Sequence, residues 1–264
     1  MAPNLQMAKE TQDRSITRNQ EPETRMPLLT LVRHGQASFL QQNYDKLSER
    51  GELQSRILGE YWLRTGVVFD QVYYGPACRH LRTGEIVADV YRQSGAAWPQ
   101  PVTLPELDEY PGIEVVRTFL PALTETHPDI RALEAEYRQA LQQEIAFRLF
   151  DKLFARITRM WVNEELDSPN LESWKDFCAR IDRGIAQIRA ASAKNSRIAV
   201  FTSAGVIAAT VRLALDLAAQ KTLELSWTSR NASYTEIIFK PDRSSLASFN
   251  NHPHLETQAL LTYR

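Results

Sequence analysis

The sequence predicts an α/β fold: a doubly wound, mostly parallel sheet flanked by helices. The run Leu28 to Val32 is apolar without interruption, which is typical of a strand covered on both faces of a parallel sheet. Strand-like and helix-like periods then alternate along the chain, which is the pattern of βαβ units. A chain of 264 residues with 43% hydrophobic composition can bury the core of one such domain.

The elements follow in order from local signals. Ser48 is the predicted N-cap of the first helix. A second strand over Phe69 to Tyr74 ends at Gly75-Pro76, because proline interrupts a strand, and a helix follows it. A long helical pattern runs from about Ile130 to Trp161. The remaining predictions are a helix with Trp174 and Ile188, a strand over Arg197 to Ser203, a helix over Gly205 to Ala219, and edge strands at Leu223 to Trp227, Tyr234 to Phe239 and Leu246 to Phe249.

The N-terminal segment, the net charge and the cysteines limit which classes of protein the sequence fits. Residues 1–26 are polar, carry mixed charges and lack an apolar core segment, so we expect a disordered N-terminal extension rather than a signal peptide, with the folded domain over residues 27–264. A net charge of -1 and a pI of about 6.5 indicate neither a nucleic-acid-binding nor a membrane-binding surface. No apolar run of about 18 residues occurs. The two cysteines form no disulfide framework, which favours a cytoplasmic location.

The tripeptide Arg33-His34-Gly35 sets a cation and an imidazole at the end of the first strand. In open α/β sheets, ligands bind outside the carboxyl ends of the strands. The stretch Leu31 to Phe39 (LVRHGQASF), followed by Tyr44 to Gly51, resembles the opening of the histidine phosphatase superfamily, which includes the cofactor-dependent phosphoglycerate mutases. The resemblance continues to about Leu255 and implies a helical insertion, about residues 113–190, that roofs the active site.

The resemblance implies a phosphohistidine mechanism with His34 as the nucleophile. The segment Gly75 to Thr83 resembles the family's proline-x-x-arginine-x-x-arginine-threonine motif, in which the first arginine contacts the phosphate, and this assigns Arg79. Guanidinium groups offer planar forks of donors and stay charged, so Arg33 and Arg79 are expected to clamp a phosphoryl group.

The general acid is assigned by the same resemblance. The segment Leu107-Asp108-Glu109 is similar to a leucine-x-glutamate motif whose glutamate protonates the leaving oxygen, so Glu109 is the predicted proton donor. Glu106, Asp108 and Glu114 stand near it in sequence and stay open as alternatives.

The sequence departs from the family pattern at one position. The family has serine-histidine-glycine-glycine where this chain reads Thr202-Ser203-Ala204-Gly205, so Ser203 stands in place of the second histidine. We expect Ser203 to bind the substrate phosphate as a neutral donor. Because neutral hydrogen bonds contribute less than charge-assisted ones, a loss of about tenfold is expected, not an abolition of activity.

Other reactive side chains receive no catalytic role. Cysteine-dependent phosphatases place an arginine six residues after the cysteine, where this chain has Gly84, so Cys78 is predicted to be a small packed residue. The histidines His80, His127, His252 and His254 are given no function, and no metal or other cofactor is predicted.

The sequence therefore predicts a metal-independent phosphomonoesterase acting on a small phosphorylated molecule or a phosphoprotein. One alternative is a mutase of the phosphoglycerate type, which needs extra cations from the roof. The other is a weakened pseudoenzyme that only binds phosphorylated ligands or protein partners. The expected partner is a phosphorylated small-molecule substrate, not nucleic acid or a membrane, and a homo-oligomer is compatible with the sequence.

Overall fold

A computed structural model describes residues 26–37, 45–240 and 243–263. The predicted extension lies outside these ranges apart from Met26, and so does the Ser38-Phe39 end of the opening motif. The strands are β1 (Leu28–Arg33), β2 (Gln71–Tyr74), β3 (Val102–Thr103), β4 (Arg197–Thr202), β5 (Tyr234–Phe239) and β6 (Ser244–Asn251). The helices are α1 (Glu49–Arg64), α2 (Cys78–Gln93), α3 (Gly112–Thr126), α4 (Pro128–Gln139), α5 (Ala146–Val162), α6 (Trp174–Ala191), α7 (Ala204–Leu215) and α8 (Ala219–Thr228).

The described strands form one sheet in the order β3-β2-β4-β1-β5-β6. The first four strands run parallel, whereas β5 pairs antiparallel with β1 and β6 pairs antiparallel with β5. The prediction of a mostly parallel sheet flanked by helices is therefore confirmed.

The two faces of the sheet carry separate apolar cores. Successive strand residues point to opposite faces, so Leu29 and Leu31 join a core that includes α3, α5, α6 and α7. Val32 and Phe201 belong to the other core, where Trp62 of α1 and Tyr91 of α2 pack. Both faces are thus covered, which explains the uninterrupted apolar run in β1.

This winding positions a crevice between β1 and β4. The chain leaves β1 toward α1 on one face, and it leaves the neighbouring β4 toward α7 on the other face. Adjacent strands whose connections diverge leave room beyond their carboxyl ends, where ligands of such sheets bind. Arg33 ends β1 and Ser203 follows β4, so both lie at this crevice.

Two helix and strand predictions are wrong. The helical pattern from Ile130 to Trp161 is divided into α4 and α5, because the chain folds back and packs the two helices against each other. Leu223 to Trp227, predicted as an edge strand, lies in α8, where Leu223 is buried with Thr222 and Ser226 at helical spacing. Five residues that alternate between apolar and polar are too few to separate strand from helix by their period.

The helices α3 to α6 lie between β3 and β4 in the chain. Their packing is dominated by aromatic side chains: Trp161 and Trp174 meet edge to face at 5.6 Å, and Tyr110 stacks on Trp161 at 5.7 Å. Within the described ranges, no helix combines the length and apolar character needed to cross a bilayer.

Candidate active site

The backbone of His34 is fixed between two segments of the sheet. Its N–H donates to the Thr202 carbonyl of β4 at 2.9 Å, and the Asn231 side-chain amide donates to its carbonyl at 3.2 Å. His34 itself is buried. The imidazole therefore stands at the carboxyl end of β1, as the sequence predicts.

One hydrogen bond sets the tautomer of His34. Its Nδ1 lies 2.8 Å from the Gly35 carbonyl oxygen. Since a carbonyl oxygen only accepts, the proton sits on Nδ1 and Nε2 keeps its lone pair. The pKa of His34 lies well below its ordinary value, first because of burial and then because of the charges of Arg79 and Arg33. A neutral imidazole with a free Nε2 is the form that can attack phosphorus.

Gly35 and Gly51 let the loop after β1 lie directly on the first turn of α1. A Cβ on Gly35 would stand 2.3 Å from the Gly51 carbonyl oxygen, and one on Gly51 would stand 2.1 Å from the Gln36 oxygen. Ser48 caps α1 by accepting the Gly51 N–H at 3.1 Å, as predicted. Any side chain at either glycine would push this loop away from the helix.

Arg33 is held by backbone carbonyls. Its Nη1 donates to the Ser229 carbonyl and its Nη2 to that of Tyr263 at 2.6 Å. The segment before Tyr263 is itself tied to α1, because Gln54 donates to the Leu260 carbonyl at 2.7 Å. Sequence reasoning missed this contribution of the C-terminal segment, since carbonyl acceptors leave no mark in the side-chain pattern.

Asp45 joins Arg79 to the N-terminus of α2. Its carboxylate accepts from Nη1 of Arg79 at 2.7 Å and from the Cys78 N–H at 2.8 Å. Sequence reasoning did not single out Asp45. The feature of the sequence that could have pointed to it is Ala77, the N-cap residue of α2. An alanine side chain cannot accept a hydrogen bond from the helix, so the N–H groups of the first turn need an acceptor from elsewhere.

Ser203 lies behind Arg79. Its side chain is fully buried, and its Oγ accepts from Nη2 of Arg79 at 3.4 Å. The same Oγ lies 2.5 Å from Nε2 of His80. Ser203 therefore contacts Arg79, the arginine predicted to bind phosphate, and the cavity wall is formed next to it by Ala204.

Glu109 lies on the cavity wall at the N-terminus of α7. Its Oε2 accepts the Gly205 N–H at 3.1 Å, and a Cβ on Gly205 would come within 2.0 Å of its Oε1. Burial raises the pKa of Glu109, an effect that the N–H donors of Gly205 and Tyr110 and the charges of Arg79 and Arg33 oppose. A carboxyl group with a raised pKa is suited to donate a proton.

The alternative carboxylates are placed differently. Asp108 and Glu114 also line the cavity, and Asp108 accepts the Glu109 N–H at 2.9 Å. The side chain of Glu106 instead points toward Gly184 of α6, where an added Cβ would lie 2.7 Å from its Cβ. The structure thus brings Glu109 together with His34, Arg33 and Arg79 on one cavity.

Cys78 is exposed, so its prediction as a packed residue is wrong. It lies at the first position of α2, where the chain enters the helix from the surface. A hydrogen bond to Asp45 and the charge of that carboxylate raise the pKa of the Cys78 thiol. This disfavours the thiolate that a cysteine-dependent phosphatase requires.

The cavity in front of His34 has a volume of about 1120 Å³. Its polar end is formed by the strand ends and Asp45, and its far end by the insertion helices. Aromatic and aliphatic side chains line that far end: Tyr110, Ile113, Tyr137, Leu141, Phe147, Phe150 and Phe154. We call this part the aromatic chamber. Over the described residues, no group of three or more His, Cys, Asp or Glu side chains could hold a metal ion.

A family model and several solved structures are similar to the chain. The family model described as "Histidine phosphatase superfamily (branch 1)" matches residues 133–252. This match spans less than half of the 264 residues. No curated protein sequence matches the chain significantly.

Solved structures share the fold over most of the chain. A phosphoglycerate mutase from Bacillus anthracis is 18% identical, with a TM-score of 0.58, and the match covers 88% of this chain and 96% of that one. Phosphoserine phosphatase from Entamoeba histolytica, in complex with 3-phosphoglyceric acid, is 17% identical at a TM-score of 0.56, covering 87% and 100%. The alpha-ribazole phosphatase from Shigella flexneri is 18% identical at 0.54, covering 85% and 96%.

Mild acid should destabilise the fold. Burial lowers the pKa of His34, His80 and His254, that of His254 to about 4. Below pH 6.5, the ordinary histidine pKa, these imidazoles bind protons in the unfolded chain but not in the folded protein. The free energy of unfolding therefore decreases as the pH decreases, by at most about 1.4 kcal/mol per pH unit for each imidazole. The raised pKa of Glu109 has the opposite effect on the free energy of unfolding and offsets the contribution of one imidazole.

Urea unfolding at several pH values between about 7 and 5 measures this slope. His254→Gln removes one of the three imidazoles away from the cavity and should reduce the slope. A free energy of unfolding that stays constant over this range would contradict the assignment of neutral buried imidazoles.

Proposed function

We propose that the protein is a metal-independent phosphomonoesterase that acts through a phosphohistidine intermediate. The observation that carries the proposal is the hydrogen bond from Nδ1 of His34 to the Gly35 carbonyl, which leaves Nε2 free on a cavity that Arg33 and Arg79 also line. An unprotonated nucleophile, an anion-binding pair and a carboxyl group on one cavity are the parts that this reaction needs.

In the first step, Nε2 of His34 attacks phosphorus in line. The N–P bond forms while the bond from phosphorus to the alcohol oxygen breaks, and that oxygen takes the proton of Glu109. Arg33 and Arg79 stabilise the charge on the three equatorial oxygens. Because Arg33 is held by two carbonyl groups, it needs no reorganisation as that charge develops.

In the second step, water attacks the phosphohistidine. Glu109, now a carboxylate, accepts a proton from the water as the new O–P bond forms and the N–P bond breaks. Phosphate leaves, and His34 returns to its starting tautomer. The same carboxyl group thus serves as acid and then as base.

The aromatic chamber favours hydrolysis of an apolar phosphoester over a phosphoglycerate mutase reaction. A mutase must hold the carboxylate of a phosphoglycerate, which needs cations from the roof. Among the described roof residues on the cavity wall, Arg117 is the only cation, and Glu114 stands one turn from it on the same helix. We therefore propose an alcohol group that is aromatic or otherwise bulky and apolar.

The second candidate is a binding protein without turnover, which the serine at position 203 favours. Arg33, His34, Arg79 and Glu109 are all retained at the cavity, and this supports the enzyme. Incubation of the purified protein with a panel of phosphomonoesters, without added metal, distinguishes the two by phosphate release. Transfer of the phosphoryl group to phosphoglycerate instead of water would identify a mutase.

A cytoplasmic location is part of the proposal. Cys78 and Cys178 carry free thiols. Free thiols are the usual state in a reducing compartment, and this supports the cytoplasm as the place where the protein works.

His34→Ala should abolish turnover while phosphate binding largely survives, because the arginines supply most of the affinity for the anion. Label from a phosphorylated substrate should be acid-labile and base-stable, and should appear on the native protein only. His127→Ala, which changes a histidine at the α3–α4 junction, is the matched control and should label normally. Equal labelling of native and His34→Ala protein would identify a different nucleophile.

Glu109→Gln should lower the rate by about 10²–10⁴-fold for alkyl phosphates and much less for aryl phosphates, because a good leaving group needs little protonation. Asp108→Asn and Glu114→Gln serve as matched controls on the same wall. In the native protein, the rate with alkyl phosphates should also fall as pH rises through the raised pKa of Glu109. A uniform loss for both substrate types would remove Glu109 from the role of acid.

Phe150→Ala should raise KM for 1-naphthyl phosphate by up to about tenfold and leave small phosphoesters almost unchanged, since it removes an aromatic contact from the chamber. Phe249→Ala on β6, which does not line the cavity, is the matched control. Steady-state kinetics on both substrates tests the chamber. A KM effect equal for large and small substrates would contradict it.

A further inference from the structure

His80 is the one buried imidazole near the cavity, among the described residues, that the proposed mechanism does not use. It lies in the first turn of α2, and its side chain is fully buried. Its ring centroid stands 5.7 Å from that of His34, and its Nε2 lies 2.5 Å from Ser203 Oγ. A histidine so placed is not part of the ordinary apolar packing of a helix.

The sheet register explains why His80 and Ser203 meet. β2 and β4 are parallel neighbours with Tyr74 opposite Phe201, and the Gly75 N–H donates to the Phe201 carbonyl at 2.9 Å. The chain beyond β2 therefore begins α2 beside the chain beyond β4. An imidazole on the first turn of α2 reaches position 203 from the other side.

The local backbone is shaped to admit this imidazole. A Cβ on Gly75 would stand 2.4 Å from Nδ1 of His80, so only glycine leaves room for the ring. The backbone of Gly75 favours a proton on His80, against burial and the charge of Arg79, which lower its pKa. A proton on Nδ1 makes Nε2 an acceptor for the hydroxyl proton of Ser203.

The hydroxyl oxygen then presents its lone pairs to the arginine. Nη2 of Arg79 donates to Ser203 Oγ at 3.4 Å, while Nη1 binds Asp45 at 2.7 Å. The guanidinium is thus fixed from two sides, by a carboxylate at the cavity mouth and by a hydroxyl in the interior. The hydroxyl can hold its orientation because it is hydrogen-bonded to Nε2 of His80.

We propose that His80 is a positioning residue of the phosphate site, acting through Ser203 on Arg79, and that it supplies from α2 the imidazole absent from position 203. This inference rests on the proposed phosphatase function. It goes beyond that function by assigning His80 and Ser203 to one unit, in which Ser203 orients the arginine and does not itself bind phosphate.

The test compares His80→Ala, His80→Gln, Ser203→Ala and the double variant His80→Ala/Ser203→Ala. We expect His80→Ala to lower kcat on an aryl phosphate by about tenfold, with His80→Gln retaining more because its amide can pair with the hydroxyl. The double variant should be no worse than the poorer single variant, because residues acting as one unit are not additive. His254→Gln, which removes another buried imidazole, is the matched control and should keep kcat.

Moving the histidine from position 80 to position 203 gives a second test. Ser203→His alone should lose activity or fold poorly, because His80 already fills the space. Adding His80→Ala frees that space, and the pair His80→Ala/Ser203→His should exceed His80→Ala/Ser203→Ala in kcat. If urea unfolding shows that His80→Ala is not folded, the native protein is compared with His80→Gln and Ser203→Ala instead.

Binding of inorganic phosphate, measured by calorimetry, separates this inference from the proposed function. If the native protein hydrolyses no phosphoester, the proposed function fails, and a weaker affinity of folded His80→Gln and Ser203→Ala for phosphate still supports the positioning role. Native kcat and native phosphate affinity in these variants would overturn it. Additive losses in the double variant would also overturn it, since they would mean independent roles.

Discussion

The placement of two largely buried guanidinium groups, Arg33 at the end of β1 and Arg79 at the start of α2, is the constraint on which the rest of the site depends. A buried charge is costly unless it is paired or hydrogen-bonded. Arg33 meets the carbonyls of Ser229 and Tyr263, and Arg79 meets Asp45 and Ser203. These acceptors come from distant parts of the chain, so the arginines tie the C-terminal segment and the N-terminus of α2 to the sheet.

The same charges dictate the state of the neighbouring imidazoles. A cationic imidazole beside two guanidiniums would face repulsion as well as burial, so His34 and His80 stay neutral. Neutrality has different consequences at the two places. At His34 it leaves a nucleophilic nitrogen, and at His80 it leaves an acceptor that can orient the Ser203 hydroxyl.

The sequence predicted those parts of the site that short contiguous motifs carry. Arg33, His34, Arg79 and Glu109 each follow a strand or a turn within a motif of a few residues, and the sheet brings those ends together. The interpretation of Cys78 as packed was wrong because exposure depends on the path of the chain before α2. The division between α4 and α5 escaped prediction because no glycine or proline marks residues 140–145.

Asp45 and His80 could not be predicted in this way, because their partners lie far away along the chain. Asp45 contacts Arg79, 34 residues on, and His80 contacts Ser203, 123 residues on. A pattern in one sequence records local period and spacing, not pairing across a sheet. The serine at position 203 and the histidine at position 80 become informative together only once β2 and β4 are known to be neighbours.

Burial also separates the acid from the nucleophile. Removal from water disfavours whichever form is charged, so it lowers the pKa of His34 and raises that of Glu109. One environment therefore favours the unprotonated imidazole and the protonated carboxyl group, which are the forms that the proposed attack and leaving-group protonation require. The N–H groups of Gly205 and Tyr110 donate to the carboxylate and so oppose this rise in the pKa of Glu109. Burial beyond the strand ends thus acts on the two groups in opposite directions, because the charged form is the protonated one for an imidazole and the unprotonated one for a carboxyl group.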